Sequence, residues 1–248
     1  MKAVSLLIFA GVPFLLMSQS PFLQHQLTFP RVQAAAERVG PSLNQLFRDK
    51  DIPFPPQHIY LRAFKQEQVL EVFAADYSTY RLIKTYPFTA TSGKPGPKRQ
   101  EGDLQIPEGF YQVSAFNPLS KFLLSFKINY PNHADNIRNK NRQNQGGDIY
   151  IHGGAQTIGC IPLGDDAIQE LYWLCASSFA NNPVIPVHIF PCRMDSGNME
   201  KWKQDYPGDV SFWKSLLPMY RFFESHKLLG EVTGTDDAGN YLLSIPWD

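Results

Sequence analysis

The strongest constraint on the fold is a series of three β-prone runs between His58 and Phe88: IYLRAF, VLEVFAA and YRLIKTYPF. Only polar turns such as Lys65 to Gln68 separate them. Short runs of Ile, Val, Tyr and Phe with links of that length pair as adjacent antiparallel strands. Strand character returns in FYQVSAF, FLLSFKI, DIYIHG and PVIPVHIF, and NYLLSI adds a short strand or an extended tail. Residues 92 to 109, SGKPGPKRQEGDLQIPEG, and the stretch YPNHADNIRNKNRQNQGG are dense in turn formers and charge, which makes them surface loops. Loops carried on a rigid sheet are where function concentrates.

Helical signals flank the strands. From Arg31 to Lys50, RVQAAAERVGPSLNQLFRDK has apolar residues at helical spacing but is interrupted by Gly40 and Pro41, so a broken or two-part helix is expected. Pro53, Pro55 and Pro56 close that region. GDDAIQELYWLCASSF places two acids at a helix start, where they suit the dipole, with Ile168, Leu171, Tyr172, Cys175 and Phe179 on one face. A further helix is expected around Val210 to His226. The sum is a mostly β chain with flanking helices, an α+β fold, and 248 residues fit one such domain with appended elements.

Lys plus Arg and Asp plus Glu both number 23, so no basic field argues for nucleic acid, and a neutral or zwitterionic substrate suits the chain better. The first twenty residues, MKAVSLLIFAGVPFLLMSQS, set one Lys before an apolar run that ends in small residues. That order reads as a secretory signal peptide over residues 1–20 and places the rest in the periplasm or cell envelope. An uncleaved anchor is the alternative, although the run is shorter than the roughly 20 residues of a membrane span. No later segment is apolar enough to span, so no stable membrane anchor is expected after cleavage. Three cysteines, Cys160, Cys175 and Cys192, make an odd count for an exported chain, so at least one thiol is free or bonds between chains. Cys175 and Cys192 read as buried packing residues.

The third thiol sits in IYIHGGAQTIGCIPL, residues 149 to 163. A cysteine attacks carbonyls as thiolate, and a neighbouring histidine can take its proton and return it to a leaving group. Here a strand ends at His152, Gly153 and Gly154 permit a reversal, and Gly159 precedes Cys160, so both side chains can meet at one sheet end. Gly159 allows close backbone approach, and the amides of Ile158, Gly159 and Cys160 are candidate oxyanion donors. Thr157 is placed to bond the histidine or the substrate. Two other readings fit the same residues: a glycine turn with two buried side chains, or a zinc site using His152 and Cys160 with His188 or Cys192. The absence of a close CxxC or HxxxH pair weighs against metal, so neither metal nor cofactor is expected. His25, His58, His133 and His226 read as surface or packing residues.

IHGGAQTIGCIPL resembles the signature of the L,D-transpeptidase catalytic domain, the YkuD domain, in which a strand ends in His-Gly and a Ser or Thr precedes Gly-Cys. The YafK-like branch is the nearest in pattern, with Gly96-Pro97-Lys98, Glu101-Gly102-Asp103 and Pro107-Glu108-Gly109 ahead of the signature. VHIFPCRM and the segment from Phe212 to Phe223 extend the resemblance, which spans Gln57 to Phe223. It implies a β-sandwich or barrel catalytic domain over residues 57–195, an N-terminal helical segment at 21–56 and a C-terminal helical extension and tail at 196–248. It also implies a Cys160 thioester formed on diaminopimelate of a peptidoglycan stem peptide, with His152 as base and Gly153, Thr157, Ile158 and Gly159 around the site. Arg193, in the FPCRM segment, would hold a substrate carboxylate or serve a structural ion pair. The acyl group would pass to an amine, as in transpeptidation, or to water, as in an amidase that trims stem peptides or releases a wall-linked protein. A non-catalytic wall-binding domain is the third reading. The chain departs from the wider family at Ile158, where His is common, at Pro162, where Arg is common, and at Ile106, where Thr is common.

Overall fold

The computed structural model describes residues 20–77, 79–139 and 144–246, so the signal-peptide reading falls, apart from Ser20, outside the described residues. Two helices, α1 (Pro21–Gln26) and α2 (Pro30–Arg48), come first. The three runs that open the sheet form β1 (His58–Phe64), β2 (Val69–Ala75) and β3 (Arg81–Pro87), an antiparallel meander as expected. After the 92–109 loop come β4 (Gly109–Asn117), β5 (Ser125–Ile128) and a short helix α3 (His133–Arg138) within the second polar stretch. Strands β6 (Tyr150–His152) and β7 (Ile161–Pro162) bracket the His-to-Cys segment. Then follow α4 (Asp165–Phe179), β8 (Pro186–Phe190), α5 (Ser196–Asp205), α6 (Val210–His226) and a hairpin of β9 (Glu231–Thr235) and β10 (Tyr241–Ser244).

The eight-stranded sheet runs in the order β3-β2-β1-β8-β4-β5-β6-β7. Its curvature comes from β4. Gly109 to Gln112 pair with β8, while Val113 to Asn117 pair with β5, with an irregularity in the register between Val113 and Ala115. A bulge bends and twists a strand, so one strand carries the ladder into a second orientation and the sheet closes to a half-barrel. Helix α4 lies against β1, β5 and β6 inside that curve. Its Ile168, Leu171, Tyr172 and Cys175 share one buried cluster with Leu61, Val187, Phe126 and Ile151.

Strand β1 is buried on both faces because alternate residues serve two cores. Ile59, Leu61 and Ala63 face the α4 cluster. Phe64 packs with Trp213 and Met219 of α6, and Tyr60 packs with Phe223. Between them sits a buried guanidinium: Arg62 bonds Glu71 at 2.6 Å and Glu224 at 2.5 Å and lies over the rings of Phe64, Phe73 and Phe223. This ion pair network fastens α6 to the outer face of the sheet.

The N-terminal helix corrects one expectation. Instead of a broken helix, α2 (Pro30–Arg48) runs without interruption through Gly40 and Pro41. Proline inside a helix costs about 3 kcal/mol. Burial of Val32, Ala35, Val39, Leu43 and Phe47 on one stripe contributes roughly 1.5–3 kcal/mol for each large side chain and outweighs it. At Gly40 the helix runs close to α4, where an added Cβ would stand in ordinary contact, 3.7 Å from the Trp173 indole nitrogen.

Candidate active site

Strands β6 and β7 run parallel with Ile151 opposite Ile161 and His152 opposite Pro162. Cys160 therefore lies beside Tyr150, one diagonal step from His152, and both side chains line one cleft of about 480 Å³. Asn117 at the end of β4 and Ser120, Lys121 and Phe122 of the β4–β5 connection form its other wall.

The histidine is fixed on two sides. Its ring stacks on Phe122 with centroids 4.4 Å apart, and Nδ1 lies 2.6 Å from the Gly153 carbonyl oxygen. A carbonyl only accepts, so Nδ1 carries the proton and Nε2 holds the basic lone pair. Burial lowers the imidazole pKa, with the Gly153 carbonyl opposing. The thiol is half-buried. Sγ accepts from the Tyr150 amide at 3.4 Å and points its own hydrogen at the Asp148 carbonyl, 3.7 Å away. Burial pushes its pKa up, as does Asp148, while the Tyr150 amide and the Lys98 ammonium pull it down. A thiol pushed up and an imidazole pushed down describe a resting pair of neutral groups.

The turns around the pair are tightly built. A Cβ on Gly153 would meet the Phe122 carbonyl oxygen at 2.6 Å, Asp165 Oδ1 at 2.7 Å and Ile168 Cγ2 at 2.9 Å. Asp165, the first residue of α4, accepts from the Gly154 amide at 2.8 Å and so ties the His-Gly-Gly reversal to the helix. Gly159 has φ +127°, and its would-be Cβ lies 2.8 Å from the Gln105 carbonyl oxygen, so the 92–109 loop presses directly on the residue before the thiol.

Thr157 does not bond the imidazole. Its hydroxyl accepts from the Gly159 amide at 3.1 Å and donates to the Cys160 carbonyl at 2.7 Å, bracing the turn from within. The Gly159 amide is therefore occupied, and the Ile158 and Cys160 amides carry the oxyanion expectation. The Ile158 side chain is 77% exposed. Arg193 does not line the cleft. It pairs with Glu71 at 2.5 Å and lies over the Phe64 ring, on the far side of the sheet with the Arg62 network, so it belongs to the ion-pair role. His188 hydrogen-bonds the Tyr60 hydroxyl and Cys192 is buried in the α6 cluster, so neither joins His152 and Cys160 in a ligand set. Among the described residues no group of three or more His, Cys, Asp or Glu side chains is placed to hold a metal ion. All three cysteines are free, with Cys175 and Cys192 fully buried.

Four residues of the site escaped the sequence reading: Phe122, Asp148, Asp165 and Lys98. Asp165 carried a visible signal as an acid at a helix start. Phe122 acts by ring stacking, Asp148 through its carbonyl and Lys98 through its charge, none of which leaves a local pattern.

Residues 59–189 match the family model described as YkuD, L,D-transpeptidase catalytic domain. The chain belongs to this family. It is 30% identical over 191 residues to "Putative L,D-transpeptidase YafK" of Escherichia coli strain K12, covering 76% of this chain and 74% of that protein. Among solved structures it is similar to the helical cell shape determining protein Pgp2 of Campylobacter jejuni, with 20% identity, 72% and 73% of the two chains covered and a TM-score of 0.43. L,D-transpeptidase 1 of Mycobacterium tuberculosis is a more distant match, at 12% identity, 53% and 61% coverage and a TM-score of 0.32. No helix among the described residues is long and apolar enough to cross a membrane.

Proposed function

We propose that the protein is an exported peptidoglycan acyltransferase in which Cys160 forms a thioester with a diaminopimelate carbonyl of a stem peptide. The observation that carries this reading is the oriented imidazole: Nδ1 is committed to the Gly153 carbonyl, which leaves Nε2 as the basic nitrogen of a ring that lines the same cleft as Cys160. Because the resting pair is neutral, proton transfer accompanies attack. The thiol leaves its backbone contacts, gives its proton to His152 Nε2, and Sγ bonds to the substrate carbonyl carbon. The resulting oxyanion is held by the Ile158 and Cys160 amides. Collapse expels the leaving amine, which takes the proton back from the imidazolium. An incoming amine then loses a proton to His152, bonds the thioester carbon and releases the thiol.

The second reading replaces that amine with water, giving an amidase that trims stem peptides or frees a wall-linked protein. The polar wall of Asn117, Ser120 and Lys121 favours it, since such groups hold water next to the thioester. Incubating the purified protein with digested peptidoglycan and analysing the products by mass spectrometry separates the two. New cross-links mean transfer, and lost stem residues mean hydrolysis. Cys160→Ala abolishes either activity and His152→Ala nearly does; wild-type rates in His152→Ala would remove the base assignment.

A further inference from the structure

Lys98 is a buried cation with no part in the chemistry just described. Its side chain is 5% exposed, and Nζ donates to Asp103 Oδ1 at 2.7 Å and to the Gln100 carbonyl at 2.9 Å. Burying an ammonium is unfavourable unless it is paired and hydrogen-bonded. Asp103 collects four donors: Lys98 Nζ and the amides of Arg99, Gln100 and Gln105. This folds residues 98–105 into a compact turn around one ion pair.

That turn touches both segments that flank the nucleophile. On one side, the Gln105 carbonyl packs against Gly159, the residue before Cys160. On the other, the Glu101 amide donates to the Asn144 carbonyl at 2.6 Å, and Lys98 Cε lies 3.6 Å from where a Gly146 Cβ would stand. Gly146 is two residues before Asp148, whose carbonyl receives the thiol hydrogen. The turn that holds the ammonium is thus in contact with both backbone segments that define where Sγ sits.

We infer that Lys98 is a positioning residue whose buried charge stabilises the Cys160 thiolate, with Asp103 as the countercharge that both anchors Lys98 and tempers its field. The other charged or titratable groups around the thiol do not supply this. His152 is neutral at rest, Asp148 opposes thiolate formation and is paired with Lys127, and Lys121 is exposed on the other wall. Lys98 supplies a buried cation packed against the segments that hold the thiol, where solvent screens it little.

The inference rests on Cys160 being the nucleophile, but its test does not need turnover. The rate of Cys160 alkylation by iodoacetamide is followed by mass spectrometry from pH 6 to 10 in the full chain, with melting curves confirming the fold. In Lys98→Met the midpoint rises by roughly half a unit to one unit, a three- to tenfold loss of thiolate at pH 7, and Lys98→Arg restores it. An unchanged midpoint in folded Lys98→Met overturns the proposal. Should Lys98→Met fail to fold, Lys98→Gln decides, because its amide still donates to Asp103 and the Gln100 carbonyl but carries no charge. A charge effect raises its midpoint by roughly half a unit, a threefold loss of thiolate; a midpoint unmoved or lowered refutes it. A thiol that responds to Lys98 in a protein without activity on peptidoglycan would overturn the acyl-transfer reading and leave this one standing.

Discussion

Adding one methyl group at Gly153 tests how the site is held. The backbone of Gly153 lies outside the left-handed region occupied by Gly154 and Gly159, so Gly153→Ala adds no torsional strain and the effect is steric. Three atoms stand under 3.0 Å from the new Cβ: the Phe122 carbonyl oxygen, Asp165 Oδ1 and Ile168 Cγ2. Overpacking of that kind costs about 1–3 kcal/mol. Asp165 must also move, weakening its charge-assisted bond to the Gly154 amide, for roughly another 1 kcal/mol. The total is about 3 kcal/mol, which for a chain of this size lowers Tm by about 6–12 °C. His152 is covalently next in line and shares Phe122 as its stacking partner, so a shift of order 1 Å follows and costs on the order of 100-fold in turnover. The control is Gly147→Ala, where nothing lies within 4 Å of the new Cβ and φ is ordinary. Calorimetry and the muropeptide assay read both variants side by side. If Gly153→Ala melts with the Gly147→Ala control and keeps full turnover, the claim that close packing positions the imidazole is wrong.

Arg193→Ala, on a side chain 40% exposed, leaves KM for muropeptides unchanged and shifts stability by less than about 1 kcal/mol in urea titrations; a large rise in KM would restore its substrate role. Arg62→Met, by contrast, removes the buried partner of Glu71 Oε2 and leaves that carboxylate only Arg193 on Oε1, which destabilises by about 3 kcal/mol, seen as a lower urea midpoint with the same slope. His188 is pushed down from 6.5 to about 3, mainly by burial and then by Arg62. The unfolded chain binds a proton there that the folded one refuses, so this group removes stability as pH falls below 6.5, by about 1.4 kcal/mol per unit. Asp135 is raised from 3.8 to about 6 by burial, so the folded protein holds a proton the unfolded chain lacks between those values, and its slope has the opposite sign. Between pH 4 and 6 the two offset each other. Asp135→Asn therefore exposes a stability loss on acidification that is steeper than in the wild type, and His188→Gln reverses its direction; urea midpoints at pH 4.5 and 6 that move in parallel for all three proteins would refute this.

The sequence by itself determined the elements whose signals are local. Runs of β-branched and aromatic residues between polar turns placed β1 to β5 and β8, helical spacing placed α4 and α6, and the order strand, His152, Gly-Gly, Gly159, Cys160 placed the imidazole and the thiol at one sheet end. Those patterns survive because strand runs and period-3.6 burial are written in neighbouring residues. Tertiary structure decided what depends on distant partners. Helix α2 stays whole because α4 offers a surface to its apolar stripe, although Gly40 and Pro41 argue locally for a break. Thr157 braces its own turn, and Arg193 faces Glu71, because the path of the backbone decides which side of a sheet a side chain reaches. The polar 92–109 loop shows the limit most clearly: its composition says surface, yet Lys98 and Glu108 are buried in it, paired with Asp103 and with Lys65 and Trp213. A charge finds its partner through space, and only the folded chain brings Lys98 beside the segments that hold Cys160.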